Sequence, residues 1–209
     1  CSRREAEALI GQGLVTIDGE IVEDAGRKIL PGQTLVLNDG ATAKLGAAMT
    51  VMIHKPVGIV SSQPEGEQIP AVRLLTRAAQ VGQPGPVPGR DSKLAPVGRL
   101  DMDSRGLLIL SEDGVVAKAV IGPESTLEKE YRVRVRGELT REKIDWLRHG
   151  LELDGRKLKR AVVDRLGQET LRFVLKEGRN RQIRRMCDLV ELDVIDLFRH
   201  RVGSIELGD

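Results

Sequence analysis

The chain has 209 residues, and its 33 Lys and Arg nearly balance 31 Asp and Glu for a formal charge of +2, so net charge does not single out a nucleic-acid partner and the placement of charges must do so. Two cysteines, Cys1 and Cys187, exclude a disulfide framework, and neither they nor the three histidines stand at metal-ligand spacing, leaving a reducing cytoplasm and no bound metal as the expectation. Aromatic residues make up 2% of the chain, too few for a binder that stacks single-stranded bases on aromatic platforms, and there is neither an apolar run of bilayer length nor a signal-peptide series.

Ser2-Arg3-Arg4-Glu5 reads as a capping box opening a helix to about Ile10, which the glycines of Gly11-Gln12-Gly13 stop. Leu14 to Ile17 and Glu20 to Val22 read as strands around an Asp18-Gly19 turn, and Lys28 to Leu30 and Thr34 to Leu37 flank a Pro31-Gly32 turn. A small α/β unit over 1–40 follows. The Gly-, Ala- and Thr-rich segment after it, 41–50, reads as a linker.

From Val51 strands dominate. They are expected at Val51 to His54, Val97 to Leu100, Leu107 to Leu110, Glu130 to Arg136, Lys159 to Arg165, Thr170 to Leu175, Val194 to Phe198 and Ser204 to Leu207. Helices are expected at Ala71 to Ala79, Gly114 to Ile121, Arg141 to Arg148 and Asn180 to Val190. The two do not alternate as in a doubly wound sheet, so 51–209 reads as one mixed, mostly antiparallel α+β domain. The Gly- and Pro-rich run 81–96 reads as an exposed loop.

Three places carry chemistry. Asp101 stands two residues after Arg99 and just before an apolar strand, so that Val97 to Leu100 would present both side chains at a sheet mouth with the carboxylate kept ionised. By position alone a turn-forming Asp is the commoner reading. Tyr131, Val133 and Val135 alternate with Arg132, Arg134 and Arg136, which turns Tyr131 inward. A helix opened by Asn180 would set Arg181, Arg184 and Arg185 on one face, opposite Ile183, Met186, Cys187 and Val190. Three arginines on one face call for an anion, either phosphate or Asp101.

Four segments in order carry a resemblance: HKPVGIVSS from His54, GRLDMDSRG from Gly98, LEKEYRVRV from Leu127 and EGRNRQIRRMC from Glu177. Together they resemble the RNA pseudouridine synthases, in the branch that acts on ribosomal RNA, although His54 stands where that family often has Asn. The SRREA helix and VTIDGEIV hairpin are similar to the S4-like RNA-binding domain, here without its first helix.

The resemblance implies isomerisation of uridine in ribosomal RNA, expected in the large subunit, to pseudouridine with no cofactor. It implies Asp101 as the catalytic carboxylate, Tyr131 against the target base as acceptor of its C5 proton, and Arg184 paired with Asp101. Ile183 would lie beside the uracil, Arg99 or Arg105 would hold the flipped nucleotide, and Arg181, Arg185, Arg3 and Arg4 would contact the RNA backbone. Whether Asp101 bonds to C1′ or first removes the C2′ proton stays open. A non-catalytic RNA-binding assembly factor would use the same basic faces, and an N-glycosidase would release free uracil. A monomer in the cytoplasm, with ribosomal RNA as partner and no membrane, completes the expectation.

Overall fold

The computed structural model describes residues 1–83, 85–89 and 92–208. Helix α1 (Arg3–Ile10) begins at the expected capping box, with Ser2 Oγ accepting from the Glu5 amide and the Glu5 carboxylate accepting from the Ser2 amide. It packs through Leu9 on a three-stranded sheet of β1 (Val15–Ile17), β2 (Glu20–Ile21) and β3 (Leu35–Leu37), in the order β2-β1-β3.

The segment expected as a linker is mostly a second helix, α2 (Asp39–Gly46). Asn38 caps it, its side-chain oxygen accepting from the Ala41 amide at 2.9 Å, and Ala41 is fully buried with Leu9, Val15, Ile17 and Val22. The composition that suggested a linker is that of a small helix able to sit close against this core. Lys28 to Leu30 forms no strand.

The larger part is an eight-stranded sheet. Its strands are β4 (Thr50–Lys55), β5 (Ala95–Pro96), β6 (Arg105–Ser111), β7 (Lys129–Arg136), β10 (Val162–Arg165), β11 (Thr170–Leu175), β12 (Asp193–Val202) and β13 (Ile205–Glu206), with β8 (Glu152–Leu153) and β9 (Arg156–Lys157) forming a separate hairpin. Helices α3 (Gly114–Ile121), α4 (Arg141–Arg148) and α5 (Gln182–Leu189) are inserted between strands.

The main path is β10-β11-β7-β12-β6-β4, with β5 on β6 and β13 on β12. Among the described residues, β12 and β6 are the parallel pair of this sheet and its other strand pairs are antiparallel. The mixed, mostly antiparallel α+β fold is thus as the sequence indicated. Val133, Val135, Val163, Leu171 and Phe173 on one sheet face bury against Ile144 and Leu147 of α4 and Ile183, Met186 and Cys187 of α5. Removal of that much apolar surface from water is what holds the helices to the sheet.

Four local expectations fail for identifiable reasons. Val97 to Leu100 is not a strand, because Gly98 at φ +84 turns the chain after one pairing bond, from the Val97 amide to Ile109 O at 2.7 Å. Ala71 to Ala79 is two separate 3-10 turns, 71–74 and 77–79, rather than one helix. Lys159 to Arg165 shortens to β10, which starts at Val162. The loop expected to be exposed over 81–96, part of which lies outside the described residues, ends in buried Leu94 and in β5 pairing with β6.

Candidate active site

The turn that carries Asp101 is clamped on several sides. The Ser104 amide donates to Asp101 O at 3.0 Å, and the Gly58 amide donates to Met102 O at 2.8 Å. Ser61 both donates to Leu100 O at 2.7 Å and accepts from the Leu100 amide at 2.9 Å. From β12, Arg199 donates Nε to Leu107 O at 2.8 Å and Nη1 to Arg99 O at 3.2 Å, with only 5% of the residue exposed. A buried arginine spending two donors on main-chain carbonyls fixes that loop against the sheet.

The approach of β6 to β12 depends on Gly106. Its φ is +115, and a Cβ built there would stand 2.3 Å from Arg199 O and 2.7 Å from Arg199 N. No other residue type fits against that backbone.

In front of this loop lies a cavity of about 940 Å³, large enough for an extruded nucleotide. Asp101, Tyr131, Arg99, Ile183, Arg181 and Arg184 all line it, with Lys129 and Arg199. The register explains the wall: Arg199 and Phe173 stand opposite Tyr131 on the strands either side of β7, so the three share a face. Tyr131 therefore points inward as its alternation implied, packed against the apolar clusters on both sides.

The basic motif is arranged differently from expectation. Helix α5 starts at Gln182, and Arg181 before it is left-handed at φ +48, ψ +34. That backbone turn removes Arg181 from the helical face and aims it across the cavity mouth. It sets Nη1 and Nη2 on the Asp103 carboxylate at 3.1 and 2.8 Å, and Nη1 is also 3.7 Å from Asp101 Oδ2.

Arg184, expected on Asp101, instead donates to Asp103 O at 2.8 Å, Ser104 Oγ at 3.3 Å and Val194 O at 3.2 Å, with its Nε 3.3 Å from Asp103 Oδ2 but not aligned for a hydrogen bond. Asp103 competes for both arginines because it lies two residues nearer to β6 and faces α5. The Arg181 hydrogen bond, reinforced by Arg184, holds the Asp103 carboxyl below the usual range against the opposing effect of burial.

Four other expected residues lie elsewhere. Arg105 forks onto Asp196 at 2.9 and 2.8 Å with its guanidinium 4.6 Å from the Phe198 ring centre, and it does not line the cavity. Arg185 is likewise outside, paired to Asp154 at 3.0 and 2.6 Å. Arg3 and Arg4 are exposed on α1, Arg3 beside Glu7 at 2.8 Å. His54 packs near Phe198, and burial followed by the charge of Arg105 lowers its pKa.

Sequence reasoning missed Asp103, Lys55, Lys129 and Arg199. Lys55 follows His54 in the first motif and is fully buried, donating Nζ to Pro56 O and Ile59 O at 2.8 Å each. Burial pushes its pKa down to about 8, and the negative charges of Asp101 and Asp103 oppose that displacement. A lysine closing an otherwise alternating strand was the available signal. Lys129, two residues before Tyr131, is lowered by burial and by Arg199. Among the described residues no group of three His, Cys, Asp or Glu could hold a metal ion, and no helix is long and apolar enough to cross a membrane.

Comparison with known proteins agrees with this architecture. The model of the RNA pseudouridylate synthase family matches residues 49–189, and that of the S4 domain matches residues 1–35. The chain is similar to an uncharacterized RNA pseudouridine synthase of Aquifex aeolicus, at 30% identity over 100% of this chain and 83% of that one. It is also similar to the dual-specificity RNA pseudouridine synthase RluF of Escherichia coli, at 33% identity over 100% of this chain and 68% of that one. A crystal structure of a pseudouridylate synthase superposes with a TM-score of 0.66, covering 99% of this chain and 85% of that one at 24% identity, and so shares the fold. The family-model match over residues 49–189 and relatives at 30–33% identity across the whole chain, with an S4 unit in front, make this chain a member of the RNA pseudouridine synthase family, an isomerase acting on RNA.

Proposed function

We propose that this chain converts uridine in ribosomal RNA, in the large subunit, to pseudouridine, with Asp101 as the reactive carboxylate. The observation that carries the reading is the meeting of Asp101, Tyr131 and Arg181 around one nucleotide-sized cavity, with Arg181 3.7 Å from the Asp101 carboxylate.

The isomerisation breaks the bond from uracil N1 to ribose C1′, turns the base and rejoins it through C5, whose proton then leaves. A half-buried carboxylate at the cavity wall is suited to attack at C1′ or to remove the C2′ proton. Tyr131, on the inner wall, is suited to accept the C5 proton directly or through water, and buried Ile183 offers an apolar surface to the uracil. Arg99 and Arg184 supply positive charge to the extruded nucleotide, and Arg105 and Arg185, tied to Asp196 and Asp154, support the walls unless RNA phosphate displaces their partners. Exposed Arg3 and Arg4 on α1 contact RNA phosphates outside the cavity. The chemistry requires neither cofactor nor metal, and the reading is of a cytoplasmic monomer.

Ribosomal RNA carrying tritium at uridine C5 tests this. The wild type releases tritium to water as pseudouridine forms, and Asp101→Asn does not while still binding RNA. Free uracil in place of an isomer would support N-glycosidase chemistry. Binding without any release would support an assembly factor.

A further inference from the structure

Two residues beyond Asp101 stands a second carboxylate, and the arginines of the basic motif engage it first. Both Nη groups of Arg181 lie on Asp103, at 3.1 and 2.8 Å, while Nη1 alone comes within 3.7 Å of Asp101. Arg184 reaches the Asp103 main-chain oxygen at 2.8 Å and the carboxylate with its Nε at 3.3 Å. Arg181 adopts a left-handed backbone conformation uncommon outside glycine, directly at the start of α5, where its side chain makes no helix cap. The spacing of the two carboxylates is fixed by the tight turn between them, through the Ser104 amide on Asp101 O at 3.0 Å and the Gly58 amide on Met102 O at 2.8 Å.

We infer that Asp103 is a positioning residue for the isomerisation: by holding the Arg181 fork it keeps that guanidinium beside Asp101 without letting it close on the reactive oxygens. The inference rests on the reading of Asp101 as the reactive carboxylate. A free guanidinium this near a carboxylate closes into a two-bond pair, the geometry its planar fork favours. Here both Nη donors are engaged by Asp103, so Asp101 receives the positive charge and keeps its oxygens for the ribose. Asp103 stays ionised well below neutrality under the Arg181 hydrogen bond, and the tie therefore persists at the pH of the reaction.

The test compares wild type, Asp103→Asn, Asp103→Glu, Arg181→Gln and the Asp103→Asn/Arg181→Gln double variant. Single-turnover tritium release from C5-labelled ribosomal RNA is measured beside RNA affinity over a range of salt. Asp103→Asn is expected to slow release at least about tenfold. Its RNA affinity and salt dependence change little, because the released arginine closes on Asp101 rather than on an RNA phosphate. Asp103→Glu, which retains the charge on a longer arm, recovers part of the rate.

In the Arg181→Gln background the Asp103 change has no further effect on rate. A purely structural salt bridge would lower rate, affinity and thermal stability together, and that result overturns the inference. So does an Asp103→Asn protein as fast as wild type, or one slowed equally without Arg181. A wild type that binds the RNA and releases no tritium removes the reading of Asp101 itself, an outcome distinct from these.

Discussion

Substituting Gly106 by Ala probes the joint between β6 and β12 that carries the Asp101 loop. The added methyl meets Arg199 O at 2.3 Å, N at 2.7 Å and C at 2.9 Å, all main-chain atoms that cannot rotate aside. The backbone at φ +115 costs a residue with a Cβ about 1–3 kcal/mol. Relief of the overlap by shifting strands costs a further amount of about 1–3 kcal/mol. Together the loss is about 2–6 kcal/mol, which for a chain of this size lowers Tm by about 4–24 °C. Gly155→Ala is the control: its φ is +69 and nothing lies within 4 Å of the added atom, so only the conformational cost of about 1 kcal/mol applies. Urea and thermal unfolding of both variants, followed by tritium release from whatever fraction is folded, give the comparison. Equal losses at the two positions would refute the claim that backbone contact with Arg199 makes Gly106 necessary.

Lys55 gives a pH test. Folding favours its neutral amine, so between about pH 8 and 10.5 the unfolded chain binds more protons and stability rises with pH. A displacement of that size corresponds to about 3 kcal/mol. The stability of wild type relative to Lys55→Met should therefore increase across this window, and a flat difference would show that the amine is not desolvated. Arg199→Met leaves Arg99 O and Leu107 O without their donors and is expected to cost about 2–4 kcal/mol in urea unfolding. It should also slow single-turnover release more than it weakens RNA affinity, and an unchanged rate would detach Arg199 from the Asp101 loop. Arg3→Ala with Arg4→Ala should leave single-turnover chemistry intact at saturating protein, weaken RNA binding and flatten its salt slope by up to about 2. An unchanged slope would remove α1 from the RNA interface.

The elements legible in the sequence are those whose ends carry chemical punctuation. Asp113 and Thr140 cap α3 and α4, and both helices run over the residues their caps and patterns indicate, Gly114–Ile121 and Arg141–Arg148. Strict alternation located β7 and the inward face of Tyr131. Where the expectation failed, a single backbone angle or a distant partner decided the outcome. Gly98 ended a strand that its apolar neighbours suggested, and Arg181 left the helix through a left-handed turn that no propensity indicates for arginine. The helix α2 was hidden by its composition because Ala and Gly signal flexibility until a core exists for them to approach. In the cavity, Asp101, Tyr131, Ile183, Arg99, Arg181 and Arg184 were found through motif order, whereas Asp103 and Arg199 were not singled out, Arg199 falling just beyond the strand expected at Val194 to Phe198. Only the pairing of β12 with β6 and β7 brings Arg199 under the Asp101 loop.

That pairing also orders events in time. Arg199 follows Arg99 by 100 residues, yet its guanidinium supports the Arg99 carbonyl from beneath. A ribosome releases the S4-like unit before the Asp101 segment, and the supporting strand after both. Contacts of such long sequence separation form late. A nascent chain can thus expose an RNA-binding surface well before it has a finished catalytic pocket, and any engagement with RNA during synthesis precedes the capacity to modify it.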